Sequence, residues 1–166
     1  MAVSMTERRF GIAERITGIT LDPSKSPQLN GDMHLVAIAG SRGKSTVACM
    51  LESVVSAAGL ASAAWLSSGV YALGERMDGE LGPWQRVLFA VRHGEIDLAI
   101  QEMHAPTVVA VGLPTEMYPM AIVTTICGNH ESCLIAPETR TERTALDTVI
   151  RSVRRDGVIV AGADDF

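Results

Sequence analysis

Seven residues, Gly40-Ser41-Arg42-Gly43-Lys44-Ser45-Thr46, stand directly after the apolar run Leu35-Val36-Ala37-Ile38-Ala39 and directly before an amphipathic stretch that opens at Val47. A chain that leaves a buried strand through two closely spaced glycines and enters a helix is held to a narrow set of α/β arrangements. The glycines let the backbone fold tightly, so that successive N–H groups face one concavity, and the N-terminus of the helix adds partial positive charge there. In such a loop Lys44 reaches the outer phosphates of a nucleotide and the Ser45 hydroxyl ligates Mg²⁺. The spacing is the short form G-x-x-G-K-[ST], because Ile38 stands where G-x-x-x-x-G-K-[ST] needs its first glycine. A plain strand-to-helix turn can have the short form, so other residues must decide.

With 166 residues and a hydrophobic share of 47%, the chain is long enough for one domain with a substantial core. Only 4% of it is aromatic; Val, Ile, Leu and Ala dominate, as they do inside parallel sheets covered by helices. The net charge of -5 argues against a nucleic-acid partner held through its phosphates. Cys49, Cys127 and Cys133 form neither a C-x-x-C pair nor an even set, which fits a reducing compartment. Cys49, on the helix after the loop, is expected in the core. No apolar run approaches the roughly 18 residues that span a bilayer, and the N-terminal segment has no signal-peptide core. The expectation is a soluble, cytoplasmic protein without a membrane partner.

Residues 1–31 read as a polar lead-in or linker, with the turn-forming Asp22-Pro23-Ser24-Lys25-Ser26-Pro27, and residues 32–166 as the domain. A strand over 33–39 precedes a helix whose apolar face is Val47, Met50, Leu51, Val54, Val55 and Ala58, closed by Gly59. Ala61 to Leu66 is a second strand, and Gly69 to Gly82 a loop or hairpin. Pro83 opens a helix that His93-Gly94 stops. Asp97 to Met103 is a strand, Ala105 to Leu113 a short helix, and Met120 to Ile126 another strand. A long helix from Pro137-Glu138 has Leu146, Val149, Ile150 and Val153 inward and ends at Asp156-Gly157, before a last strand, Val158-Ile159-Val160. The alternation predicts an α/β fold, a mostly parallel sheet flanked by helices on both faces, P-loop NTPase-like, with ligands at the carboxyl ends of the strands.

Two residues recur at those ends: Glu102, closing a strand, and His130, in the polar loop Cys127-Gly128-Asn129-His130-Glu131-Ser132. With Ser45 they can hold divalent ions beside nucleotide phosphates. Each also has a plain reading, as a solvated or ion-paired strand end for Glu102 and as a turn or cap for His130. Arg42 either clamps a phosphate or projects into solvent. His34, His93 and His104 have no motif around them and read as structural; Asp164 and Asp165 face the nucleotide or solvate a terminus.

These residues resemble, in order and spacing, the central ATP-binding domain of the Mur ligase superfamily. Gly40 to Thr46 is similar to its G-T-x-G-K-[ST]-[ST] loop, Glu102 to its magnesium-binding Glu at a strand end, and Gly128-Asn129-His130 to the part of its N-x-x-x-D-H segment that carries the metal-site His. Gly157 to Asp165 is similar to its G-x-x-V-x-N-A-D-D strand, and the resemblance covers about residues 33–165. It implies ATP and Mg²⁺ as cofactors and an amide-forming ligation. A substrate carboxylate attacks the γ-phosphate, and an amine displaces phosphate from the acyl phosphate. Lys44 and His130 are then catalytic, Gly40, Ser41, Arg42, Gly43, Lys44, Ser45, Thr46 and Asn129 hold the nucleotide, and Ser45, Glu102 and His130 hold metal. The sequence departs from the family in Asn129 for Asp, in Gly162 for Asn, and in having no lysine over 138–156, where many members carry a carbamylated one. The family's C-terminal domain and N-terminal substrate domain are not recognisable, so a further domain or partner subunit is expected. A nucleotide-binding regulatory or scaffold module without ligase activity is the alternative. A small P-loop kinase or GTPase typically adds the longer glycine spacing, a lid of arginines or an N-K-x-D segment, and none is evident.

Overall fold

The computed structural model describes residues 34–77, 83–125 and 137–162. They form a seven-stranded sheet in the order β4-β3-β2-β5-β1-β6-β7. The strands are β1 (Leu35–Ala39), β2 (Ser62–Leu66), β3 (Gly69–Ala72), β4 (Glu75–Arg76), β5 (Leu98–Glu102), β6 (Tyr118–Val123) and β7 (Val153–Ala161). The helices are α1 (Lys44–Ala57), α2 (Pro83–Arg92), α3 (Ala105–Val111) and α4 (Pro137–Ser152). β2, β5, β1, β6 and β7 pair in parallel, and the β2-β3-β4 hairpins add an antiparallel edge. The expected α/β architecture is therefore the observed one.

β1 is buried throughout, because its alternate residues enter two different cores. Leu35, Ala37 and Ala39 join Val87 and Val91 of α2, Val108 of α3 and Leu146 and Val149 of α4. Val36 and Ile38 join Ala48 of α1, with Val47 and Leu51 partly buried beside them. Among the described residues one face thus carries three helices and the other α1. That asymmetry corrects the expected apolar face of α1: Ala48 and Val55 are buried, whereas Met50 and Val54 are 64% and 65% exposed because no described element covers that side of the helix. Cys49, turned about 100° from Ala48, is also exposed rather than core.

α1 closes as the sequence suggested. Gly59 has φ +84, its N–H donates to the Ser56 carbonyl at 3.0 Å, and the Leu60 N–H donates to the Val55 carbonyl at 3.1 Å, the paired bonds of a Schellman motif. The start of α1 is earlier than expected: Lys44, Ser45 and Thr46 form its first turn instead of preceding it.

α4 ends four residues before the expected Asp156. The Ser152 hydroxyl donates to the Val149 carbonyl at 2.6 Å, and the Ser152 carbonyl accepts the Met117 N–H at 2.8 Å, which draws the chain onto the sheet. Val153 then pairs with Tyr118, and the register jumps so that Met120 pairs with Val158. The extra residues bulge outward, closed by Arg154, whose Nε and Nη2 donate to Asp156 at 3.0 and 2.8 Å. A Cβ on Gly157 would lie 2.7 Å from Val153 Cγ1 and 2.9 Å from the Pro119 carbonyl oxygen, so the tight bulge within β7 needs glycine. Residues 69–77 of the expected loop or hairpin form β3 and β4, while 78–82 lie outside the described residues, as does the lead-in 1–31. Among the described residues no helix is long and apolar enough to cross a membrane.

Candidate functional site

The glycine loop sits at the carboxyl end of β1, in the centre of the parallel strands. It is pinned to the end of β6: the Ser41 N–H and hydroxyl both donate to the Thr125 carbonyl, at 2.7 and 2.8 Å. The Thr124 N–H and hydroxyl both donate to the Ala39 carbonyl, at 2.9 and 3.1 Å. Arg42 adds an antiparallel bridge to Thr125 and is exposed. Gly40 turns the chain at φ +127 against β6, where a Cβ would collide with Thr124 Oγ1 and lie 2.9 Å from the Thr125 carbonyl oxygen. Gly43, at φ +81, has nothing within 4 Å of a Cβ placed on it. The first glycine therefore seats the loop on the sheet and the second keeps its outer side open.

Gly43 is also the N-cap of α1, and no side chain caps the helix there. The first helical bond runs from the Val47 N–H to the Gly43 carbonyl at 2.9 Å, so the earlier N–H groups of the first turn have no carbonyl partner within the helix. The Lys44 ammonium folds back on the loop and donates to the Gly40 carbonyl at 2.7 Å. Donors and positive charge thus converge on one concavity, an arrangement suited to an anion. Thr46 is exposed in the first turn of α1.

Ser45 projects from the same turn toward β5, and its hydroxyl donates to Glu102 Oε2 at 2.9 Å. That oxygen also accepts the Ser67 N–H at 3.0 Å, from the turn after β2. Residues 57 positions apart are joined because β5 lies beside β1 and both strands end on one edge. Octahedral Mg²⁺ with bonds of about 2.05 Å spaces adjacent ligand oxygens by about 2.9 Å, so these two hard oxygens fit that ion. No group of three or more His, Cys, Asp or Glu suited to a metal occurs among the described residues; a hydroxyl, one carboxylate and phosphate oxygens make a different kind of site.

Glu142 and His104 were not singled out as site residues by sequence. Burial pushes the Glu142 carboxyl up from its ordinary value, opposed by the positive charges of Lys44 and His104, so α4 brings a carboxylate into the field of the loop lysine. Neither residue has a local motif that could have signalled this. Asn129 and His130 lie outside the described residues, as do Cys127, Cys133, Asp164 and Asp165.

Comparison with known proteins finds similarity over most of the chain. The chain is 32% identical over 139 residues to the UDP-N-acetylmuramate--L-alanine ligase of Frankia alni, a match covering 84% of this chain and 20% of that protein. The chain is similar to a part of that Mur ligase. It spans about a fifth of the length of that curated Mur ligase. Among solved structures, a UDP-N-acetylmuramoyl-L-alanyl-D-glutamate--2,6-diaminopimelate ligase superposes with a TM-score of 0.59 at 15% identity, over 81% of this chain and 28% of that one. A mutant of L. casei FPGS superposes with a TM-score of 0.51 at 13% identity, over 98% of this chain and 45% of that one. These two likenesses establish that the fold is shared. No protein-family model matches the chain.

Proposed function

We propose that residues 32–166 are the central ATP-binding domain of a Mur-type ligase, which joins a carboxylate to an amine through an acyl phosphate. The observation that carries this reading is the contact of Ser45 with Glu102 at 2.9 Å, beside a loop whose donors converge on one point. A plain strand-to-helix turn has no need of a carboxylate aimed at its helix. The relationship to the Frankia alni ligase supplies the reaction class.

In this reading the first-turn N–H groups of α1 hold the phosphates, and Lys44 leaves the Gly40 carbonyl to meet the outer phosphate. Ser45 and Glu102 hold Mg²⁺, which when bound offsets charge on the phosphates. Lys44 lowers the cost of the negative charge that develops as phosphoryl moves to the carboxylate. Amine and carboxylate capture call on parts of a ligase beyond the fifth that this chain matches. His130 and Asn129 are assigned to the metal and nucleotide on the family resemblance.

The test is binding of ATP to the chain with and without Mg²⁺. Lys44→Ala is expected to weaken ATP at least tenfold, and Glu102→Gln to abolish the gain from Mg²⁺ while leaving metal-free binding nearly unchanged. Unaltered ATP affinity in Lys44→Ala refutes the phosphate cradle. Acyl-phosphate trapping with candidate acids then separates a ligase core from a binding module, which never forms one.

A further inference from the structure

The last turns of α1 border a cleft of about 430 Å³ at the amino ends of the parallel strands, the opposite end from the phosphate loop. Glu52, Ser53 and Ser56 of α1 form one wall, and Ser62, the first residue of β2 and almost fully buried, lies at the base. Leu60 and Leu73 add apolar surface. Leu73 and Gly74, at φ +56 and +82, are the two-residue turn of the β3–β4 hairpin. That turn is fixed to the sheet by the Leu73 N–H, which donates to the Ser62 carbonyl at 2.9 Å. The cleft is therefore walled by a helix and a tied hairpin turn.

Its chemistry is that of an acceptor. The Ser53 hydroxyl donates to the Cys49 carbonyl at 2.8 Å, so its proton is committed and its oxygen can only accept from a further group. Glu52 Oε1 is shielded from solvent and makes no hydrogen bond, and burial raises the carboxyl above its ordinary value. Among the described residues no lysine or arginine borders the cleft to balance that charge. The C-terminus of α1 adds partial negative charge beside it, and the last turn of the helix holds no basic residue. A shielded acceptor left unpaired is costly, and the last torsion of a glutamate is soft enough to turn either oxygen toward a donor that enters. An anion is repelled by this arrangement. A primary ammonium group brings both the missing charge and three donors.

We propose that this cleft binds a small aliphatic primary amine in its ammonium form, with the Glu52 carboxylate as counter-charge, Ser53 Oγ as a second acceptor, and the alkyl chain against Leu60 and Leu73. The site stands apart from the contact of Ser45 with Glu102, so it does not rest on the ligase reading.

The test titrates the full chain with n-butylammonium chloride at constant ionic strength and follows backbone amide signals by NMR, with 1-butanol and sodium butyrate as the neutral and anionic counterparts. Saturable shifts confined to Ser53, Ser56, Ser62, Leu73 and Gly74 and their neighbours are expected for the ammonium ion alone. Glu52→Gln keeps the shape and removes the charge, and is expected to weaken the probe at least tenfold, the loss of a charge-assisted bond. Ala57→Leu, at an exposed position of α1 that borders the cleft, narrows the entrance with Glu52 intact and is expected to abolish the shifts; it serves also if Glu52→Gln does not fold. Parental affinity in either folded variant, shifts that do not saturate, or equal binding of 1-butanol overturns the proposal.

Discussion

The two loop glycines should fail in different ways when each is given a methyl group. Gly40→Ala places a Cβ against Thr124 and 2.9 Å from the Thr125 carbonyl oxygen, at a φ of +127. Backbone strain there costs about 1–3 kcal/mol, and forcing extra volume into a packed site adds about 1–3 kcal/mol. Gly43→Ala meets nothing within 4 Å at φ +81, so only the left-handed backbone is penalised, by about 1–2 kcal/mol. The difference, about 2 kcal/mol, is about 1 M in urea midpoint at a slope of about 2 kcal/mol per M. Urea unfolding of both variants measures it. Thr124→Ala removes the nearest clash but leaves the Thr125 carbonyl in place, so the double variant with Gly40→Ala should recover part of the loss and not all. ATP affinity should rank the other way for folded protein, because the space beside Gly43 is where a phosphate approaches. Equal midpoints for the two alanine variants, or full rescue by Thr124→Ala, would refute this division of labour.

Stability should fall as pH rises through the folded value of Glu142. Its carboxyl is raised above the ordinary 4.5, so the folded state holds the proton more tightly than the unfolded one; the stabilisation is complete below 4.5 and lost above the raised value. Glu142→Gln should remove that slope in urea titrations run from pH 4 to 8, and parallel curves for variant and wild type would contradict it. Gly157→Ala should destabilise by about 1–3 kcal/mol through overpacking against Val153 and Pro119, read as a lower thermal midpoint; an unchanged midpoint would mean that the bulge can relax.

The strand-loop-helix unit over residues 35–59 was legible because the signals that mark it are local: apolar run, glycines, helix periodicity and a closing glycine. The meeting of Ser45 with Glu102 was legible for another reason, since parallel strands place their carboxyl ends on one edge. What failed depended on distant partners. Periodicity marked Met50 and Val54 as apolar but could not say that no described element covers them. The end of α4 was misplaced because Val153 is claimed by Tyr118, a pairing that no window around residue 153 contains. Glu142 in the field of Lys44 was invisible for the same reason.

The two margins of the sheet are built unlike each other. On one side the last strand is β4, two charged residues long, which offers a newcomer little ladder and no grease. On the other, β7 runs nine residues and shows Val158, Ile159 and Val160 to solvent at 51%, 43% and 49%. Among the described residues, then, the β7 margin is the longer and the more apolar of the two.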